Sequence, residues 1–384
     1  YRSGVTGGSS NWNGVQLETK SLCDSMKEVF KINTQIETLT RNAKVMELVA
    51  AEGTEPHNAN GVNTYKRKLN YLAYSGYEGK DELAKGSIGV MVVSRSTSEG
   101  VDNKMDGYAD GTRHMLQLTS DEMKTLQFMK KNCKKTILVS TGASVIEIND
   151  KTNELCDAII YMPNPGSGGA EILTEILTGK TNPSGRTVDT WTKDFLAMPT
   201  TKNFGFNGGN YSTLGNDAMV YKNVDRLNST NKVPFVQYEE GIYLGYRYYE
   251  TAFKEGVINY DNEVAFPFGH GLSYTTFTQE FVDKKVENNK VKLSVKVTNT
   301  GSVAGKDAVQ IYYGAPYTNF DKENGIEKSS KNLVAYDKSE LIEPNKSQVI
   351  NLEFNVEDMA SYYYKRDNKD GTKGCYFLEK GDYS

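Results

Sequence analysis

The run Ile88-Gly89-Val90-Met91-Val92-Val93 limits the fold more than any other stretch, because it is apolar throughout and stops abruptly at the polar segment Ser94-Arg95-Ser96-Thr97-Ser98-Glu99-Gly100-Val101-Asp102. A short β-branched run with no wet face reads as a strand covered on both sides, the situation of a parallel sheet. The carboxyl ends of such strands are where open α/β sheets place their ligand chemistry. Downstream, Thr119-Ser120-Asp121-Glu122 is a capping-box pattern that predicts a helix carrying Met123, Leu126 and Met129 on one face. A strand is expected over 136–140, a short helix over 145–155 and a strand over 158–162. The next helix should turn Ile172, Leu173, Ile176 and Leu177 inward and close at Gly179. Strands alternating with helices argue for βαβ units. Upstream, the helical spacing of Leu22, Met26, Val29 and Phe30 predicts an amphipathic helix over 15–30, and a second helix is expected over 37–51. The stretch 52–83 shows no clean period.

The period then changes. From 201 to 278 the chain is irregular, with aromatic knots over 243–249 and 266–274 separated by Gly, Pro and Asn, which reads as a long extended connector. Beyond it Val291, Leu293, Val295 and Val297 alternate with polar residues, and Ile350, Leu352, Phe354 and Val356 repeat the pattern. Alternation of this kind predicts a β-sandwich. The expected organisation is an α/β domain over 1–232, a connector over 233–278 and an all-β domain over 279–384.

Several function classes fall away. A net charge of −4 and the absence of a basic patch give no footing for nucleic acid. No run approaches the roughly 20 apolar residues of a spanning helix, so no membrane insertion is expected. Cys23, Cys133, Cys156 and Cys375 show no CxxC spacing and the chain has three histidines, so no metal site of standard pattern is expected. The cluster Gly166-Ser167-Gly168 invites a phosphate reading, but Glu171 stands where a dinucleotide fingerprint needs its third glycine. Gly179-Lys180-Thr181 likewise lacks the earlier glycine of a P-loop. No cofactor is expected. The 25 tyrosines read first as ordinary strand filler, with hydrogen-bonding ligand surface as the lesser reading. The first residues, Tyr1-Arg2-Ser3-Gly4-Val5-Thr6-Gly7-Gly8-Ser9-Ser10, form a Gly/Ser loop with no initiator Met and no signal-peptide core, so the chain reads as cut at its head. Localisation is left open, the cytoplasm slightly favoured over secretion.

Five motifs in order resemble one family. They are Ser94-Arg95 with Ser98-Glu99-Gly100-x-Asp102, Pro165-Gly166-Ser167-Gly168-Gly169, Asn182-Pro183-Ser184-Gly185-Arg186, the aromatic run from Tyr238 to Tyr249, and Phe266-Pro267-Phe268-Gly269-His270-Gly271-Leu272-Ser273-Tyr274. Together they resemble the C-terminal half of a glycoside hydrolase family 3 β-glucosidase. Val297-Thr298-Asn299-Thr300-Gly301 with Gly305 is similar to the fibronectin type III-like domain that follows in that family. The resemblance implies a three-layer αβα sandwich with a mainly parallel sheet, then a fibronectin type III-like sandwich, and a (β/α)8 barrel outside this chain that carries the nucleophilic aspartate. Glu99 matches the acid/base that the α/β domain lends to the barrel.

A retaining hydrolysis needs two carboxyl groups about 5–5.5 Å apart, one attacking the anomeric carbon and one protonating the leaving oxygen. By resemblance Glu99 is the second of these. Arg95 and Asp102 are expected to brace its loop by a salt bridge or backbone hydrogen bonds, with direct sugar contact as the other reading. Thr6 and Ser9 lie where family members have a Gly/Ser loop near the mouth of the active site. Arg186, Arg247 and Tyr246, Tyr248 and Tyr249 are expected to stitch the connector to its neighbours. The implied partners are a β-glucoside oligosaccharide such as cellobiose and the barrel. A homo-oligomer stays open, as do a β-xylosidase and a non-catalytic carbohydrate-binding module.

Overall fold

The computed structural model describes residues 20–42, 45–48, 69–72, 74–95, 111–142, 144–163, 165–166, 168–203, 220–221, 233–234 and 238–384. Contacts divide the chain into two compact units, Tyr1–Glu175 with Thr192–Glu239, and Ile176–Trp191 with Glu240–Ser384. The segments 176–191 and 240–278 therefore cluster with the β-rich end of the chain.

The first unit opens with α1 (Leu22–Lys27) and α2 (Thr34–Asn42), followed by the antiparallel pair β1 (Val45–Leu48) and β2 (Leu69–Leu72). The helix expected over 37–51 ends at Asn42, because the next residues take a strand partner more than twenty positions away that local periodicity cannot register. After α3 (Asp81–Ala84) comes the three-stranded parallel sheet of β3 (Ile88–Arg95), β4 (Lys135–Gly142) and β5 (Ala158–Met162), ordered β3-β4-β5. Leu138 and Val139 are adjacent on β4 and point to opposite faces, yet neither is accessible, so both faces are covered.

Between the strands run α4 (Ser120–Asn132) and α5 (Asp150–Leu155), and α6 (Gly169–Thr178) follows β5. The capping box forms as the residues predict: the Glu122 amide donates to Thr119 Oγ1 (3.0 Å) and the Thr119 amide to Glu122 Oε2 (2.9 Å). Helix α4 lays Phe128 and Met129 against Met91 of β3 in a cluster with Tyr77 and Ala84. Only residues from Asp150 are helical in the segment 145–155; Ile146 and Ile148 are fully buried in non-helical chain, and Asn149 caps α5. On α6 Leu173 is buried but Ile172 is exposed, one residue off the expected face. The unit also holds α7 (Pro199–Asn203) and the two-residue strands β7 (Val220–Tyr221) and β8 (Val233–Pro234), while β6 (Trp191–Thr192) lies at the boundary.

In the second unit the expected connector carries α8 (Tyr246–Lys254), α9 (Tyr260–Glu263) and β9 (Val264–Phe266). Helix α8 forms despite four aromatic residues of modest helix propensity, because packing buries Tyr249 and Ala252. Strands β10 (Phe277–Glu287), β11 (Lys290–Asn299) and β14 (Ser347–Asn355) form one antiparallel sheet, and β12 (Ala308–Tyr313) pairs with β13 (Asn332–Lys338) in another. Their inward residues, among them Val295, Val297, Val309, Ile350 and Leu352, share one core with Ile311 and Ala335, which makes an antiparallel sandwich. Helix α10 (Asn319–Asn324) and the hairpin β15 (Ser361–Asp367)–β16 (Lys373–Phe377) complete it. The motif at 182–186 meets the one at 266–274 inside this unit. Asn182 Oδ1 accepts from Ser273 Oγ (3.0 Å) and the Tyr274 amide (2.8 Å), and Arg186 pairs with Asp307 (2.7 Å). Among the described residues no helix is long and apolar enough to cross a membrane.

Candidate functional site: the stems of the Glu99 loop

Glu99, Asp102, Thr6 and Ser9 lie outside the described residues, whereas Arg95, the last residue of β3, is described in full. Arg95 is 1% exposed, an unusual position for a guanidinium, and its donors meet protein acceptors. Nε donates to the Met115 carbonyl (2.6 Å), Nη2 to the Gln117 carbonyl (2.9 Å) and Nη1 to the Ser94 carbonyl (3.3 Å). The planar fork also pairs with both oxygens of Glu122, at 3.1 Å and 2.6 Å. Ser94 and Arg95 precede the segment that bears Glu99, and Met115 and Gln117 follow it. One side chain thus ties the two stems together at the carboxyl edge of a parallel sheet. Glu122, which completes the capping box, is the counter-charge that lets Arg95 stay buried.

The backbone is as close as the side chains. Gly142 ends β4 at φ +106°, where a Cβ would collide with the Arg95 carbonyl oxygen, so only glycine lets β4 close against β3 here.

The returning stem is held a second time. Glu147 is 1% exposed; its Oε2 faces His114 Nε2 at 2.9 Å and accepts from the Phe195 amide (2.8 Å), while Oε1 accepts from Gln117 Nε2 (2.8 Å). The Glu147 amide donates to the Leu116 carbonyl (2.8 Å), and the His114 ring stacks on Phe195 at 5.9 Å. Arg113 makes a bidentate pair with Asp194, both contacts at 3.0 Å. Sequence reasoning missed His114, Glu147 and Asp194. The signal lay in Val145-Ile146-Glu147-Ile148, a carboxylate inside an apolar run that must find a buried partner. Among the described residues no group of three or more His, Cys, Asp or Glu is placed to hold a metal ion.

Burial pushes the Glu147 carboxyl toward its neutral form, but the His114, Phe195 and Gln117 bonds outweigh it and hold its pKa below the ordinary 4.5. Asp194 is likewise lowered, burial opposing and Arg113 prevailing. A carboxyl whose pKa is depressed by folding stabilises the native state above its unfolded value and loses that contribution as pH falls through the folded one. The stem should therefore loosen on acidification below pH 4.5, and Glu147→Gln should flatten part of the dependence, Asp194 retaining the rest. Melting temperatures from neutral pH downward check this, and parallel falls for both proteins would remove Glu147 from the account.

Comparison with known proteins fits this geometry. Residues 5–246 match the glycosyl hydrolase family 3 C-terminal domain. The chain is 29% identical over 335 residues to β-glucosidase A of Butyrivibrio fibrisolvens, covering 79% of this chain and 36% of that protein. It is 31% identical over 253 residues to the thermostable β-glucosidase B of Acetivibrio thermocellus, 64% of this chain and 27% of that one. The chain thus spans about a third or less of the curated relatives it matches. A Paenibacillus barengoltzii β-glucosidase structure superposes with a TM-score of 0.62 at 28% identity, over 83% of this chain and 30% of that one. β-Glucosidase 3B of Thermotoga neapolitana, in complex with glycerol, gives 0.63 at 26%, over 89% and 41%. With a family model spanning more than half its length, and with its parallel sheet and buried loop clasp, the chain belongs to glycosyl hydrolase family 3 as that family's C-terminal region.

Proposed function

We propose that this chain is the acid/base half of a retaining β-glucosidase that releases terminal β-D-glucosyl residues from oligosaccharides such as cellobiose. The observation that carries the reading is the Arg95–Glu122 clasp, which joins both stems of the Glu99 loop at the carboxyl edge of the sheet. An acid/base must be presented to within about an ångström of its working place, and a segment whose two stems are tied by one buried guanidinium is built for that. Glu99 protonates the leaving oxygen and then draws the proton from the attacking water. The nucleophilic aspartate comes from a (β/α)8 barrel domain. Arg95, whose fork is occupied by protein, is a positioning residue in this scheme, and Asp102, Thr6 and Ser9 are candidates for sugar contact. The sandwich of the second unit is read as fibronectin type III-like and as dispensable for bond cleavage. The glucose complex of the Thermotoga neapolitana enzyme supports a glucosyl glycone.

Assay of an aryl β-glucoside and the matching β-xyloside tests the proposal. The chain alone is expected to be inactive, and the chain assembled with the barrel domain to turn over the glucoside faster. Turnover by the chain alone would place the nucleophile here, and preference for the xyloside would make the enzyme a β-xylosidase.

A further inference from the structure

The second unit contains a cleft of about 690 Å³ whose walls are five aromatic rings, Tyr246, Phe253, Tyr260, Phe268 and Tyr312. That size lies within the usual roughly 300–1,000 Å³ of small-ligand sites. The rings are set at angles to one another. Tyr246 lies 4.8 Å from Phe268 at 39° and 5.9 Å from Tyr312 at 79°, and Phe253 meets Tyr260 at 5.6 Å and 64°. Three of them are pinned by their hydroxyls. Tyr246 accepts the Leu333 amide (2.9 Å), Tyr260 donates to Glu250 Oε1 (3.0 Å) and Tyr312 to Gln310 Oε1 (3.1 Å). Fixed rings offer flat contact at little entropic cost.

The polar groups narrow the ligand further. Lys331 pairs with Glu250 at 2.6 Å and stands 5.7 Å over the Tyr312 ring, so the cation that lines the cleft is already neutralised. The remaining charge is the exposed Asp261. An anionic ligand is therefore disfavoured. Asn259 caps α9 through Oδ1 and Gln310 accepts through Oε1, which leaves both NH2 groups to donate, while Asp261 accepts. A pyranoside presents apolar C–H faces for aromatic stacking and a rim of hydroxyls that both donate and accept. We propose that this cleft is a binding site for a neutral oligosaccharide of two or three sugars, which it holds without breaking a bond. The site uses none of the Glu99 stem residues and does not depend on the acid/base reading.

Titration of the full chain with cellotriose, followed by ligand-observed NMR, tests the inference. Saturable binding is expected with a Kd on the order of 1 mM, as a weak, mostly stacking contact gives. Phe253 is 56% exposed, so Phe253→Ala leaves the fold intact and should weaken binding about tenfold, the size of one aromatic contact. Gln310→Ala should weaken it as well, and Glu99→Gln should leave it unchanged. Absence of binding, undiminished binding by the Phe253 and Gln310 variants, loss on Glu99→Gln, or tighter binding of glucose 6-phosphate than of glucose would each overturn it.

Discussion

Glu99→Ala in the assembled enzyme is expected to slow cellobiose hydrolysis by about 10²–10⁴-fold, the usual contribution of one positioned acid or base. The loss should depend on the leaving group. A sugar alkoxide departs poorly and needs the proton, whereas dinitrophenolate departs unaided, so glycosylation by a dinitrophenyl glucoside should survive. Release of the glucosyl enzyme then becomes slow, because the attacking water has lost its base. Azide needs no base and should speed turnover while forming β-glucosyl azide, which mass spectrometry detects. Equal modest losses on both substrates with no azide effect would remove Glu99 from the role and make Asp102 the next carboxylate to test.

Arg95→Ala should cost about 3–5 kcal/mol, the usual effect of stranding one member of a buried ion pair. The stranded group is Glu122, buried within the capping box that starts α4. For a domain of roughly 200 residues this lowers Tm by about 6–20 °C. Replacing both partners by apolar residues, Arg95→Met with Glu122→Leu, should recover much of that loss, since no lone charge remains. Activity should not recover with it, because a methionine side chain has no donor to offer the carbonyls of Met115 and Gln117. The split between stability and kcat separates positioning from mere packing. A single variant that melts with the native protein would show that Glu122 finds another partner.

What was legible in the residues was local. The Thr119–Glu122 box, the parallel strand from Ile88 and the strand over 158–162 each carry their signal within a few positions and each formed, although Ile88 itself is exposed and most of β3 is only part-buried where full burial was expected. The alternation at Val291–Val297 also held, because a half-buried strand states its own face. Elements that depend on distant partners did not announce themselves. Val45–Leu48 continues a helical pattern until Leu69–Leu72 claims its backbone, and α8 hides in tyrosines whose helical state comes from tertiary contacts. His114 and Glu147 are 33 positions apart, so no spacing rule could join them. The loop motif marked Glu99 and Arg95 by resemblance, but the identity of the Arg95 counter-charge came only from the fold.

The Arg95 clasp has an implication for how such a loop can change. Because the two stems are fastened to each other and to Glu122, the ends of the intervening segment stay the same distance apart whatever the segment's length. Lengthening it then costs only closure entropy, about 0.6 kcal/mol for each doubling, several times less than the loss expected on stranding Glu122. The chain between the stems is therefore expected to accept insertions. A longer segment would then leave β3, α4 and the rest of the sheet where they are.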